Sequence, residues 1–160
     1  MTALAWTDAL ALHQPCMDDT HREFVDALNA VDAARGRGLA AALQALQGLI
    51  DHSEAHFGQE DRWMAELGFE PGTCHPAQHR QILEVLHEVQ RRLQREGEGA
   101  LGLVDAMVPA LAEWFPMQTG QASLRADKRA GAFRAALPRA LSAHLLRLLP
   151  LLAAALRAAA

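Results

Sequence analysis

Five side chains with metal-binding chemistry fall into a repeating pattern between Asp51 and His79, in the text DHSEAHFGQEDRWMAELGFEPGTCHPAQH. His52, His56 and Glu60 stand at successive four-residue steps, and His75 and His79 repeat that step after a Gly/Pro-containing turn. On an α-helix, residues four apart lie one above the other on the same face. Each half of the stretch therefore aims a column of imidazole and carboxylate groups in one direction. The intervening Gly68-Phe69-Glu70-Pro71-Gly72-Thr73 is short enough to return the second helix antiparallel to the first. Two helices would then present His/Glu and His/His pairs to a shared space. Metal sites inside helical bundles are built in this way, with two ligands from one helix.

The elements that must position these groups are helical. The chain has 160 residues, enough for one domain with a real core. Ala and Leu dominate, Tyr is absent and strand-like alternation is scarce. An apolar stripe at His21, Phe24, Val25, Leu28 and Val31 marks a first helix, opened by Met17-Asp18-Asp19-Thr20 and ended by Gly36 and Gly38. Residues 1–16 read as an irregular arm in which Trp6, Leu10 and Leu12 are available for packing. A second helix runs from about Leu39 to Leu67, with Gly68 as its C-terminal cap. A third starts near Pro76 and carries His79, Ile82, Leu83, Leu86 and Val89 inward until Gly97-Glu98-Gly99. A fourth follows from about Leu101, and Pro109 and Pro116 are expected to kink or interrupt it. The expectation is an all-α, up-down-up-down four-helix bundle with an N-terminal arm and an extra C-terminal helical tail.

Charge and cysteine content narrow the function classes. The net charge of −4 argues against a nucleic-acid partner. Cys16 and Cys74, without a secretory leader, give no disulfide framework, so a reducing cytoplasm is expected. Residues 1–117 carry 8 Lys/Arg and 18 Asp/Glu, whereas 118–160 carry 7 Lys/Arg and a single acid, Asp127. Ala, Leu and Arg fill 30 of those last 43 positions, so the tail differs in kind from what precedes it. Arg147, Pro150 and Arg157 break up its apolar run, so no transmembrane span is expected. The boundaries drawn are 1–136 for the bundle and 137–160 for an Ala/Leu/Arg-rich helical tail, docked or lying on a membrane surface.

Taken in order, His21, His56, Glu60, His75 and His79 sit in text that resembles the bacterial hemerythrins, oxygen-binding di-iron four-helix bundles. The resemblance rests on MDDTHREF around His21, HFGQEDRWM around His56 and Glu60, GFEPGTCHPAQH around His75 and His79, and EWFP on the fourth helix. It covers roughly residues 6–117. The family binds two irons through five His and two bridging carboxylates. The resemblance implies that His21 and His56 hold the iron that meets dioxygen, that His75 and His79 hold the second, and that Glu60 bridges them. His52, one turn before His56, reads as a neighbour of the ligands or a bundle-end residue. Imidazole and carboxylate suit iron, and they also accept Zn or Mn.

The fourth helix departs from that pattern. After Trp-Phe-Pro the family places a His and, five residues later, a bridging Asp; here these positions hold Gln118 and Ser123. Gln118 can coordinate only weakly, so an incomplete di-iron site is expected. The departure coincides with the change in composition, which a shifted reading frame in GC-rich DNA would produce; true divergence is the alternative, and resequencing for an alternative frame with His-x4-Asp separates them. The resemblance implies a bacterial oxygen-binding protein for storage, delivery or sensing, with dioxygen as its partner and iron as its cofactor, rather than an enzyme. A weak iron-dependent peroxidase or oxidase is one alternative. The other is a metal-free interaction module whose basic tail contacts a protein or a membrane surface.

Overall fold

A computed structural model describes residues 2–12, 15–66 and 74–126, with 63–64, 74–76 and 118–126 described as helical backbone only. Four helices carry the chain: α1 (Pro15–Ala34), α2 (Leu39–Glu66), α3 (Cys74–Glu96) and α4 (Leu101–Ala126). Among the described residues there is no strand. The expected Gly68 cap, the 68–73 turn, most of the 137–160 tail's approach and the tail itself lie outside the described residues.

α1 begins two residues earlier than the acidic text suggests, with Pro15 in the first turn, where a missing N–H costs nothing. Asp18 belongs to that first turn and accepts a hydrogen bond from the Leu12 N–H at 2.6 Å, tying the arm to the helix start. The arm itself is fixed more firmly than an irregular segment would be. The Asn29 side chain accepts from the Leu4 N–H at 3.0 Å and donates to the Leu4 carbonyl at 2.7 Å, as a neighbouring strand would. Arg22 lies 4.7 Å over the Trp6 ring, and a 3₁₀ turn at Asp8–Leu10 buries Leu10.

The stripe on α1 is the interior face: His21, Phe24, Val25, Leu28 and Val31 are all buried. It meets Leu46, Leu49, Ile50 and Phe57 of α2, Ile82, Val85, Leu86, Val89 and Leu93 of α3, and Leu103, Val104, Met107, Val108, Leu111, Trp114 and Phe115 of α4 in one core. The α1–α2 and α3–α4 connections each need a residue with positive φ, supplied by Gly38 (89°) and Gly97 (66°), where a Cβ would be strained.

Cross-helix contacts set the directions. His79, His87 and Gln90 of α3 pair with Asp61, Glu54 and Gln47 of α2, so partners retreat as α3 advances and the two are antiparallel. Phe24 stacks on Phe115 while Arg35 reaches Asp105, which makes α1 antiparallel to α4. His21 meets His56 and Glu23 meets His52, so α1 and α2 are antiparallel too and the bundle runs up-down-up-down.

Two boundaries differ from expectation. α3 starts at Cys74, placing Pro76 within its first turn. Neither Pro109 nor Pro116 interrupts α4, which runs through both. Each proline is exposed, and the two stand seven residues apart on one solvent-facing side, where water serves the backbone that a proline N–H would have served. The stretch Ala77–Met117 is long and apolar enough to cross a membrane by length and composition. Its larger apolar residues, from Ile82 to Phe115, mostly line the bundle interior.

Candidate metal centre

The centre lies at the end of the bundle formed by the start of α1, the last turns of α2, the start of α3 and the Trp114-Phe115 region of α4. His56 and Glu60 arrive on adjacent turns of α2 because four residues complete slightly more than one turn. His21 comes from the first turns of α1, and its Nε2 lies 3.9 Å from Glu60 Oε1. His56 Nε2 lies 3.7 Å from that same oxygen. The ligand atoms of His21, His56 and Glu60 all fall within 4.8 Å of one another, and all three residues are buried. These separations approach the roughly 3–3.5 Å kept by donors bound about 2.1 Å from a shared first-row ion.

The other carboxylate oxygen faces the opposite way. Glu60 Oε2 lies 3.1 Å from His79 Nε2, so Glu60 stands between a His21/His56 side and a His79 side, one oxygen to each. His79 is 1% exposed and its ring stacks flat on Phe57 at 4.1 Å. Its Nδ1 is 3.0 Å from Asp61 Oδ1. In the tautomer that donates Nδ1–H to Asp61, Nε2 is the ring atom that faces Glu60 and is left to bind a metal.

Aromatic rings enclose the His21 side. Phe115 meets the His21 ring edge-on at 5.4 Å, and His56 meets it edge-on at 5.1 Å. Burial drives the His56 pKa from 6.5 down to about 4; His21, His52 and His79 push the same way and Glu60 opposes them. Near neutral pH the His56 ring is therefore uncharged, the form that binds a metal. A buried set of nitrogen and carboxylate donors, at least one of them held neutral, fits a divalent first-row ion such as iron.

His52 stands apart from this group. It stacks on His56 at 5.9 Å, its Nδ1 lies 3.6 Å from Glu23 Oε2, and burial lowers its pKa. The side chains of His75, Gln118, Ser123, Cys74, Trp63 and Met64 lie outside those described; His75 shares α3 with His79, and Gln118 and Ser123 fall within α4. His13 and the tail from Asp127 lie outside the described residues. His87 pairs with Glu54 at 2.9 Å on the surface. Asp61 is the site residue that the four-residue column misses. It follows Glu60 directly and is turned about 100° around α2, toward α3.

Fold and site together define a class: helical bundles that gather histidines and a carboxylate around a metal in their interior. Residues 16–117 match the family model described as the hemerythrin HHE cation binding domain. The chain belongs to the hemerythrin family, whose members bind dioxygen through non-heme iron. It is 37% identical over 115 residues to a bacteriohemerythrin of Ralstonia nicotianae, an alignment covering 72% of this chain and 80% of that one. A bacteriohemerythrin of Stenotrophomonas maltophilia is 26% identical over 116 residues, covering 72% and 73%. One from Pseudomonas paraeruginosa is 27% identical over 95 residues, covering 59% of this chain and 62% of its own length. The family match ends at Met117, one residue before the change in composition.

Proposed function

We propose that this protein holds non-heme iron at His21, His56, Glu60, His75 and His79 and binds dioxygen there, in storage, delivery or sensing. The observation that carries the reading is the placement of Glu60, with one oxygen toward His21 and His56 and the other toward His79. A carboxylate so placed can bridge two ions and offset their charge. Iron supplies the reversible electron transfer on which dioxygen binding depends.

The protein's own contribution is positioning and exclusion of water. The i, i+4 pair on α2 sets two donors in register, and His21 adds a third from the facing helix. Phe24, Phe57, Trp114 and Phe115 form the apolar wall, and their packing keeps bulk water from the donors. Gln118 and Ser123 in place of the family's His and Asp leave the His79 side with fewer donors, so the site is incomplete and its oxygenated form short-lived. An exposed free thiol at Cys16 supports a reducing compartment, the cytoplasm, as the working location.

The test is metal analysis of the purified protein, followed by anaerobic Fe(II) loading and exposure to air. Iron should be retained by wild type and lost in Glu60→Ala, and air should raise a visible charge-transfer absorption that decays quickly. Equal iron in both proteins would refute the site. A stable, reversible band would refute its incompleteness.

A further inference from the structure

His21 and His79 are buried to the same degree, yet their second nitrogens meet different surroundings. His21 Nδ1 is buried with no hydrogen-bond partner among the described residues, whereas His79 Nδ1 is 3.0 Å from the Asp61 carboxylate. The two imidazoles flank Glu60 from opposite sides, so this difference divides the centre into two unequal halves.

We propose that Asp61 is a positioning residue for the His79 half of the centre: it fixes the ring with Nε2 toward Glu60 and strengthens that nitrogen as a donor to the metal. The inference rests on the metal-binding reading above and deepens it. Three contacts fix the ring. Phe57 covers one face at 4.1 Å with the planes 4° apart, Asp61 takes Nδ1–H, and Glu60 Oε2 faces Nε2 at 3.1 Å. A ring flip would put a carbon against Asp61 and cost the charge-assisted hydrogen bond. Negative charge at Nδ1–H also pushes electron density toward Nε2, which raises its affinity for a metal.

The location of Asp61 lets it do this at little cost. Its side chain is 40% exposed against 9% for Glu60, so it sits at the rim and reaches inward only to Nδ1. A carboxylate that keeps part of its hydration loses less than a buried one. Gln118 and Ser123 replace two family donors, and stronger donation from His79 offsets part of that loss. The His79 half then holds its metal more tightly than its donor count implies.

Co(II) is the probe, because its visible d–d bands report the donors around it. Full-length wild type, Asp61→Asn, Asp61→Ala and His79→Ala are titrated against a competing chelator, and each metal-free protein is melted. Asn keeps an acceptor without the charge, and Ala removes both. Asp61→Asn and Asp61→Ala should bind one Co(II) equivalent about 10- to 100-fold more weakly and shift its d–d bands, while melting close to wild type. Should Asp61→Ala fail to fold, Asp61→Asn carries the test. Unchanged Co(II) affinity and bands in the Asp61 variants, with binding weakened in His79→Ala, would overturn this inference alone. A lowered melting temperature with unshifted bands would make Asp61 a structural partner and also overturn it. If His79→Ala also matches wild type, the metal reading falls with it.

Discussion

Protonation of His56 should unfold the metal-free protein on a schedule set by its burial. In the folded chain its pKa is lowered from 6.5 to about 4, with loss of hydration the largest cause. The unfolded chain takes up a proton at this ring below about pH 6.5, and the folded chain resists until about pH 4. Acid therefore favours the unfolded state across that interval: the stabilising contribution is whole above pH 6.5 and is lost as pH falls toward 4. At about 1.36 kcal/mol for each tenfold change in proton affinity, the loss amounts to about 3 kcal/mol. That is a large share of the roughly 5–15 kcal/mol by which domains of this kind are stable. Urea unfolding in chelator at several pH values between 7.5 and 4 measures it, with His56→Leu as the comparison because carboxylates also begin to titrate at the acid end. Wild type should lose about 3 kcal/mol more than His56→Leu over the range. Parallel pH curves for the two proteins would refute the reasoning.

Other consequences are open to simpler tests. Glu60→Gln removes the charge that both halves share, so Fe(II) affinity should fall more than ~100-fold, beyond the 10–100-fold typical of residues behind the ligands; competition with a chelator reads it. Phe24 is fully buried and stacks on Phe115 at 4.6 Å, so Phe24→Ala should cost about 3–5 kcal/mol in chemical denaturation, and a cost below 1 kcal/mol would contradict the packing. Asn29→Ala removes both hydrogen bonds to Leu4 and should cost about 1–2 kcal/mol while opening residues 2–7 to proteolysis and amide exchange. Saturating Fe(II) at 100 times its dissociation constant should stabilise wild type by about 2.7 kcal/mol, and His21→Ala should lose most of that gain.

Helices were legible because their apolar faces keep the 3.6-residue period: every member of the His21–Val31 stripe is buried. The prolines of α4 misled because local chemistry says they disrupt a helix, but not which face they occupy. Only packing shows that both point to solvent, where the disruption is tolerated. His56 and Glu60 were readable because four residues separate them on a single helix. Their meeting with His21 and His79 depends on three helices converging, and there the family likeness supplied what spacing could not. Asp61 escaped notice for a related reason. It lies off the four-residue column, and its partner, 18 positions along the chain, is brought near only by the return of α3.

Every donor in the centre comes from one pole of the bundle, while the opposite pole is fastened by Arg35 reaching Asp32 and Asp105 and by the turns at Gly38 and Gly97. A metal ion would then act as a rivet through α1, α2 and α3 at the pole that lacks those fastenings. Chelation should loosen the molecule unevenly, with amide exchange rising first around residues 18–24 and 56–61 and leaving 31–42 nearly unchanged. Cofactor and clasp would be the same ion, so a chain that has lost its iron would announce the loss by fraying at one end only.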